Sequence, residues 1–430
     1  MLLGPSGMMT AGAAIEIRGR HYTIFARLTN LLADGDGLRM ILNWMGASGL
    51  KPCFVHSNVL AKNHDSMLED DENGLVDICE ADPAKFEVVG DNYMSDMMDL
   101  VIAAEDKVRA GEMSQAQFER VEMCAGYHPN REGILANARL RPLCWPKILT
   151  QDWVHNCLQD GIMIVEIKLL LHKLQARNIA SFADIRAYFK SGFGFPSCAQ
   201  SDNLWRVFDE VRENVYEDSE HGKLKCSSAE AIGIYGILRH FVETRMPSTA
   251  DLAPYSNSFH LCCSVVDLML DIKRGSVAIP DAVLELKRRL SAHMTSHIKA
   301  YTKAHVKPKH HWMFDVAEQL QRHGACYDMF IIDRLHLRCK RVADKVQNTT
   351  TFEASVLSGI VESQRRALQD YDLTSGLRGP TARLSPVLSA ADAIDLEGMH
   401  LHIDDFVLIQ PEREAAKIVA CFREDWEGIT

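Results

Sequence analysis

The sequence predicts a mostly α-helical α+β protein with a large helical body and a small β module near its C-terminus. Apolar residues recur with helical spacing from about residue 95 to residue 372. β-branched and aromatic residues cluster in three short runs, 21–28, 402–409 and 416–422, which are typical of strands. The 430-residue chain is 47% hydrophobic, a fraction that is ordinary for a globular protein and too high for a mainly disordered one.

The order of these patterns divides the chain into successive parts. The glycines and prolines between residues 373 and 395 are typical of a linker. The predicted parts are a loose N-terminus (1–20), a mixed core (21–160) with an acidic insertion (about 61–122), a helical body (161–372), the linker (373–395) and a small β module (396–430). The β module is expected to be truncated, because the chain ends shortly after its second strand-like run.

Capping residues and periodicity predict where several helices begin. Ser227 and Glu230 have the spacing of a capping box at the start of an apolar run. Pro280 occupies the position of a first helical residue in the segment that follows it. The pattern also predicts a short buried helix over 37–45 and a long helix over 351–370.

The composition and the N-terminus exclude several classes of protein. No stretch approaches the ~20 consecutive apolar residues that a membrane-spanning helix needs. The N-terminus lacks the features of a signal peptide and the 12 cysteines show no disulfide framework, so an intracellular protein is expected. The sequence contains no P-loop, GxGxxG, GxSxG or HExxH motif, and it indicates no small-molecule substrate.

Charge is distributed unevenly along the chain. A net charge of −11 argues against a protein that binds nucleic acid with its whole surface. Residues 61–122 contain 17 acidic and 5 basic residues, whereas residues 271–345 contain 15 basic and 8 acidic residues. The basic region could therefore contact an anionic partner, although both regions could equally be solvated helix faces.

Asp152 and His155 form the first candidate site. Asp152 follows a short strand-like run, so its carboxylate could reach Mg²⁺, which prefers oxygen ligands. His155 would lie on the same helical face, where it could orient the aspartate or a bound water. Alternatively, Asp152 is only the N-cap of the next helix, and the spacing alone favours this second interpretation.

Cys53 and His56 form the second candidate site. Their separation by two residues is that of half a zinc site. A complete site needs four ligands, and no second pair lies nearby in the sequence. Cys124, His128 and His155 are candidates for the missing ligands if the fold brings them together.

The basic region contains two clusters that suit contact with a phosphate backbone. Arg334, Arg338 and Arg341 recur at three- and four-residue steps and would form a basic stripe on a helix. Asp333 and neighbouring acids could instead neutralise this stripe. The residues predicted to bind DNA are Lys303, Lys307, Lys309, Arg334, Arg338, Lys340 and Arg341.

Four segments occur in an order that resembles a family of transposon-derived proteins abundant in dinoflagellate genomes. They are GASGLKPCFVHSN (46–58), QDWVHNCLQDG (151–161), KCSSAEAIGIYGILRH (225–240) and residues 307–341. More distantly, the order is similar to that in DDE transposases of the CACTA and Plavaka/KDZ type. The resemblance covers roughly residues 20–425.

The resemblance implies a partial RNase H-like core within residues 21–160 and a helical insertion. Transposases of this type use three carboxylates and two Mg²⁺ ions to cleave and transfer DNA strands. Their second aspartate is followed, after two intervening residues, by a histidine, a pattern that Asp152 and His155 match. The resemblance places the third carboxylate at Glu230, where the capping box is an equally good explanation.

The first carboxylate of such a centre has no convincing counterpart. Asp34 and Asp36 are the only acids that follow a strand at the corresponding place, and Asp36 is the candidate retained. His56 stands where relatives often have a second cysteine. A two-metal centre without one carboxylate would bind metal weakly and lose most of its rate.

The sequence therefore predicts a nuclear, transposase-derived protein that ancestrally cleaved and transferred DNA with Mg²⁺ and is now inactive or degenerate. One alternative is a non-catalytic module that binds DNA or protein through the basic region 299–345. Another alternative is a helical scaffold protein with no role in nucleic-acid binding.

Overall fold

The structure is a computed structural model of the chain. It describes residues 11–17, 20–24, 30–61, 74–191, 204–212, 224–329, 339–346, 350–370, 376–385, 388–396, 399–402, 406–409, 414–417 and 421–424. Helices predominate among these residues and are accompanied by short strands. The predicted mostly α-helical α+β class is therefore confirmed.

Helices occupy most of the chain between residues 93 and 323. The helices are α1 (Gly35–Leu42), α2 (Tyr93–Arg109), α3 (Gln115–Ala125), α4 (Trp153–Cys157), α5 (Ile162–Ala176), α6 (Phe182–Lys190), α7 (Ser228–Arg245), α8 (Ala253–Arg274), α9 (Ile279–Tyr301), α10 (Pro308–His323) and α11 (Phe352–Asp370). Among the described helices, none combines the length and the apolar character needed to cross a lipid bilayer.

The strands fall into two groups along the chain, one within residues 13–151 and the other within residues 376–424. The strands are β1 (Ala13–Ile17), β2 (Arg20–Ile24), β3 (Leu31–Ala33), β4 (Val59–Leu60), β5 (Val76–Asp77), β6 (Leu149–Gln151), β7 (Gly376–Ser385), β8 (Leu388–Leu396), β9 (Met399–His402), β10 (Phe406–Ile409), β11 (Glu414–Lys417) and β12 (Cys421–Glu424).

The chain folds into two compact units whose limits differ from the predicted parts. Residues 28–332 form the larger unit, and residues 1–27 together with 333–430 form the smaller one. No unit boundary falls at the predicted position after residue 160. The reason is that α5 begins at Ile162 and packs against α8, within a hydrophobic core that extends from Val59 to Leu320.

A pair of parallel strands organises the N-terminal part of the larger unit. β3 pairs with β6, and the register places Leu31 opposite Leu149 and Ala33 opposite Gln151. An aspartate follows each strand directly and caps the next helix, because Asp34 precedes α1 as Asp152 precedes α4. The carboxyl ends of the two strands therefore lie side by side.

Helix α10 is buried between the two hydrophobic cores of the larger unit. Met313 and Phe314 belong to the larger core, whereas Trp312 belongs to the smaller one, which also contains Trp44 and Phe54. Residues 310–317 of α10 are all buried. Since a helix buried on all sides must direct its polar side chains into the protein, its histidines and its aspartate need internal partners.

Most of the predicted helix boundaries are confirmed. Ser227 caps α7 in a capping box with Glu230, and Pro280 lies in the first turn of α9. The short helix predicted over 37–45 is α1, and the long helix predicted over 351–370 is α11. Of the strand predicted over 21–28, residues 21–24 belong to β2, and residues 25–28 lie outside the described residues.

The predicted linker over 373–395 is wrong, because this segment contains β7 and most of β8. The two strands pair antiparallel, and the register shifts between Arg378 and Thr381, on either side of Gly379 and Pro380. Glycine and proline thus mark a β-bulge here. Each of the two strands predicted over 402–409 and 416–422 corresponds to parts of two observed strands, β9 and β10 for the first and β11 and β12 for the second. β10 pairs with β11, whereas β9 and β12 pair with β8.

Candidate metal centre and charged pocket

The loop between α1 and β4 provides two donors of a candidate metal centre. Cys53 and His56 are both buried there. The Cys53 sulfur accepts hydrogen bonds from the backbone N–H groups of Val55 and His56, each at 3.2 Å. Two N–H groups directed at one sulfur bend the loop around it and favour the thiolate form.

Helix α10 provides the other two donors. His311 and Asp315 are separated by one helical turn, so their buried side chains share a face of the helix. The His56 Nδ1 atom lies 3.1 Å from His311 Nε2 and 3.0 Å from Asp315 Oδ1. The Cys53 sulfur lies 3.7 Å from His56 Nδ1 and 3.3 Å from Asp315 Oδ2. We call these four residues the Cys53 centre.

The donor separations within the Cys53 centre, 3.0–3.8 Å, are comparable in size with the edges of a tetrahedral zinc site. Zinc binds sulfur at about 2.3 Å and nitrogen or oxygen at about 2.0–2.1 Å, which puts tetrahedral ligands about 3.3–3.6 Å apart. Donor atoms from all four residues lie within 4.8 Å of one another. A cysteine thiolate and an aspartate carboxylate would together balance the charge of one divalent cation.

Burial disfavours charge at this centre unless a cation is bound. Burial and the Asp315 carboxylate raise the pKa of the Cys53 thiol well above its usual value. Burial also lowers the pKa of His311 to about 4, which keeps its imidazole neutral and able to bind a metal. A divalent cation would reverse the effect on Cys53, because a coordinated thiol is deprotonated.

Neighbouring side chains hold the donors in place. The Gln151 side-chain amide, at the end of β6, donates to Asp315 Oδ2 at 2.8 Å. The Gln151 side-chain oxygen in turn accepts a hydrogen bond from Asn156 at 2.7 Å. The Phe86 ring packs against the His56 imidazole with 5.0 Å between ring centroids. Such outer contacts orient the ligands of a metal site.

The ligands suggested for the second half of this site are wrong. Cys124 is exposed, His128 Nδ1 contacts Glu122 at 3.1 Å, and His155 contacts Asp152. His311 and Asp315, which sequence reasoning missed, take their place. The sequence signal for this pair is its i, i+4 spacing on a helix, which is common and therefore weak.

A charged pocket of about 500 Å³ adjoins the first turn of α10. Carboxylates and cations both line it. The residues that line it are Asp34, Gly35, Asp36, Arg39, Met45, Gly46, Ala47, Ser48, His155, Gln159, Asp160, Lys307, Pro308, Lys309 and Trp312. Of the four residues predicted to be catalytic, Asp36 and His155 belong to this lining, whereas Asp152 and Glu230 do not.

Lys309 is fixed inside this pocket. Its ammonium group donates to the backbone oxygens of His155 and Gln159, both at 2.9 Å. Burial lowers the pKa of Lys309, and neighbouring carboxylates partly oppose this effect. Those carboxylates belong to Asp160, Asp34, Asp36 and Asp152. A protein cation therefore already interacts with the acids of the pocket.

Asp152 both follows a strand and caps a helix. Its side chain accepts hydrogen bonds from the N–H groups of Val154 at 2.9 Å and His155 at 3.3 Å, and it contacts the His155 imidazole. Asp152 is only 1% exposed. Asp36, by contrast, is highly exposed in the first turn of α1, where Arg39 lies 3.7 Å away.

Both carboxylate oxygens of Glu230 have protein partners. One accepts from Arg212 at 2.8 Å, and the other accepts from the N–H and hydroxyl groups of Ser227, both at 2.9 Å. Burial raises the pKa of Glu230, but these hydrogen bonds outweigh it and lower the pKa overall. The capping-box interpretation of Glu230 therefore agrees with the structure.

The residues predicted to bind DNA are divided between the two units. Lys303 lies 3.2 Å from Asp77, and Lys307 is exposed at the rim of the charged pocket. Lys340 and Arg341 are exposed in the smaller unit. Arg334 and Arg338 lie outside the described residues. The predicted basic region 299–345 therefore includes residues of both units.

The comparisons with known proteins assign no family to the chain. No protein-family model matches it, and no curated protein shows significant similarity to it. Its function is therefore inferred from the contacts described above.

Proposed function

We propose that this protein binds zinc, and that the Cys53 centre is a closed structural site. The observation that carries this proposal is that four buried residues place donor atoms within 4.8 Å of one another. Sulfur and imidazole ligands favour zinc over Mg²⁺ and Ca²⁺, which take six or more oxygen ligands. Because the protein supplies all four ligands, the role expected for the ion is structural.

Zinc at this position would connect two distant parts of the chain. His56 and His311 are 255 residues apart in sequence, yet their imidazoles are in contact. The ion would fix the loop that carries Cys53 and His56 to α10, the helix between the two cores. Loss of the ion is therefore expected to destabilise the whole larger unit.

Metal analysis and thermal unfolding test this proposal. Relative to the wild type, Cys53→Ser should lose one equivalent of zinc and unfold at a lower temperature. Cys144→Ser is the matched control, because Cys144 is also buried but belongs to neither cluster of metal-binding donors found among the described residues. Equal zinc contents in the wild type and Cys53→Ser would contradict the proposal.

We also propose that the chain is derived from a DDE transposase and retains part of an RNase H-like core. The pairing of β3 with β6 supports this descent, because Asp34 and Asp152 come directly after two adjacent parallel strands. In the ancestor, such carboxylates would have bound Mg²⁺ for strand cleavage and transfer. This descent would place the protein with DNA in the nucleus.

The carboxylates of this ancestral site now have other partners. Asp152 caps α4 and contacts His155, and Glu230 bonds with Arg212 and Ser227. The Lys309 ammonium interacts with the acids of the charged pocket. A two-metal mechanism needs carboxylates that are free to bind cations. We therefore expect the present protein to be inactive in strand cleavage.

A cleavage and strand-transfer assay with Mg²⁺ tests this expectation. The wild type should show no more activity than Asp152→Asn, and Asp91→Asn, which changes an exposed acid outside the pocket, should behave identically. Cleavage that requires Mg²⁺ and disappears in Asp152→Asn but not in Asp91→Asn would show that the site is active.

A second candidate function is DNA binding without catalysis. The exposed side chains of Lys307, Lys340 and Arg341 favour it, because they can reach a phosphate backbone. Binding should need no divalent metal and should weaken steeply as salt concentration rises. Lys340→Glu combined with Arg341→Glu should reduce the affinity. If no salt-dependent binding is found, a scaffold role without nucleic acid replaces this candidate.

A further inference from the structure

A second buried cluster of metal-binding side chains lies among α5, α8 and α9. Glu166 on α5 and His293 and His297 on α9 are each at most 2% exposed. One oxygen of Glu166, Oε1, accepts from His293 Nε2 at 2.8 Å and from His297 Nδ1 at 2.6 Å. The Ser258 hydroxyl on α8 donates to the same oxygen at 2.6 Å. We call Glu166, His293 and His297 the Glu166 centre.

Several polar atoms around the Glu166 centre have no hydrogen-bond partner among the described residues. They are Glu166 Oε2, His297 Nε2, His310 Nε2 and the Tyr301 hydroxyl. The His310 ring stacks on that of His293 and lies 4.7 Å from that of His297, measured between centroids. Leaving a buried polar group unpaired costs about 1–3 kcal/mol. Four unpaired polar atoms in one place therefore indicate a ligand.

The charges of the cluster also suit a cation. The Glu166 carboxylate lies beside two imidazoles whose nitrogens can either donate a proton or bind a metal. A divalent cation would balance this charge and bond to both imidazoles at once.

We propose that Glu166, His293 and His297 bind a divalent transition metal of the zinc, iron(II) or manganese(II) class. Two histidines one helical turn apart on α9 and a carboxylate from α5 form a two-histidine, one-carboxylate set, and donor atoms from the three lie within 4.8 Å of one another. Nitrogen and oxygen donors without sulfur suit these metals. The ion takes the place of the protons that the imidazoles share with Glu166.

The metal content of matched variants tests the proposal independently of the Cys53 centre. The wild type should bind two metal ions per chain, and Glu166→Gln should lose one while keeping the ion that Cys53→Ser removes. Ser258→Ala is the control, because it removes a hydrogen bond to the same Glu166 oxygen but no ligand, and it should keep both ions. A wild type with one ion, removed by Cys53→Ser and unaffected by Glu166→Gln, overturns the proposal.

Cobalt(II) titration of the metal-depleted wild type provides a test that does not depend on any variant folding. The Cys53 centre should give a thiolate-to-cobalt charge-transfer band in the near ultraviolet, since it contains a sulfur ligand. The Glu166 centre should add a second equivalent that produces visible ligand-field bands without further charge transfer. Saturation at one equivalent that carries the thiolate charge-transfer band shows that the Glu166 centre binds no metal and overturns the proposal, whereas one equivalent without that band contradicts the Cys53 centre instead.

Discussion

The Cys53 centre and the Glu166 centre are both buried and both draw on helices of the larger unit, yet their donors are spaced differently. In the Cys53 centre, the separations run from 3.0 Å to 3.8 Å, on both sides of the edges of about 3.3–3.6 Å expected between tetrahedral zinc ligands, and the shortest of them is also a hydrogen-bond length. In the Glu166 centre, two imidazoles lie 2.6–2.8 Å from one carboxylate oxygen, which is hydrogen-bond length.

This difference indicates how tightly each centre should hold its ion. When a metal binds the Cys53 centre, the Cys53 thiol loses its proton, and the thiolate and the Asp315 carboxylate together balance the charge of one divalent cation. The Glu166 centre can satisfy its single carboxylate with imidazole protons, which a metal must displace. We therefore expect the Cys53 centre to bind its metal more tightly and to lose it last during chelation.

The largest effect on stability and metal content is expected at His311 on α10, and its neighbour His310 provides the comparison. His311→Ala removes a ligand of the Cys53 centre and leaves Asp315 with less compensation, which should cost about 3–5 kcal/mol and one metal ion. His310→Phe keeps a ring beside His293 but removes the hydrogen bond that His310 Nδ1 accepts from the Lys307 N–H at 3.1 Å, so the expected cost is about 1–2 kcal/mol. Denaturant unfolding and metal analysis provide both values.

If His311→Ala and His310→Phe lose similar amounts of stability and metal, His311 cannot be distinguished as a ligand from His310 as a packing residue. His311→Gln is a useful further variant, because it keeps a polar side chain at the position but cannot replace the imidazole as a strong zinc ligand. It should resemble His311→Ala in metal content.

The two centres should also differ in their response to acid when metal is absent. Burial lowers the pKa of His311 to about 4, so the unfolded chain binds this proton more readily and stability falls as pH decreases from about 6.5 to about 4. The pKa of Glu166 is lowered from 4.5, so its contribution is complete above that pH and is lost only at lower pH.

Chelator-treated protein, unfolded with urea across this pH range, separates the two contributions. His311→Gln should reduce the dependence in the upper range, where His260, His310 and His323, whose pKa values are also lowered by burial, still contribute, and Glu166→Gln should reduce it in the lower range. If either variant flattens the opposite range, the assignment of the titrating groups is wrong.

The smallest predicted effect comes from a change distant from both centres. Ser227→Ala removes one partner of the α7 capping box and should lower the free energy of unfolding by about 1 kcal/mol. The metal content should not change, since no ligand is affected. A loss of metal in Ser227→Ala would mean that metal content reports global stability and would remove the basis for comparing the two centres.

Local sequence signals predicted the parts of the fold that depend on short-range contacts. The capping box of Ser227 and Glu230 and the long helix ending at Asp370 are both confirmed, because caps and helical periodicity act within a few residues. The same reasoning failed at Gly379 and Pro380. These residues interrupt hydrogen bonding in a linker and in a β-bulge alike, and only strand pairing distinguishes the two.

The candidate site was predicted in halves for the same reason. Cys53 and His56 are separated by two residues and were therefore recognisable. Their partners on α10 lie more than 250 residues further on, and the i, i+4 pair they form is frequent in helices that bind no metal. The Glu166 centre was missed entirely, because its carboxylate and its histidines are on different helices.

The sequence by itself determined the mostly helical class, the helix ends and the two donors Cys53 and His56. Tertiary structure alone decided which donors meet, because burying α10 between two cores directs His311 and Asp315 toward the Cys53 loop. It also paired Glu230 with Arg212. A buried polar group requires a partner wherever the fold places it, and that place depends on long-range packing.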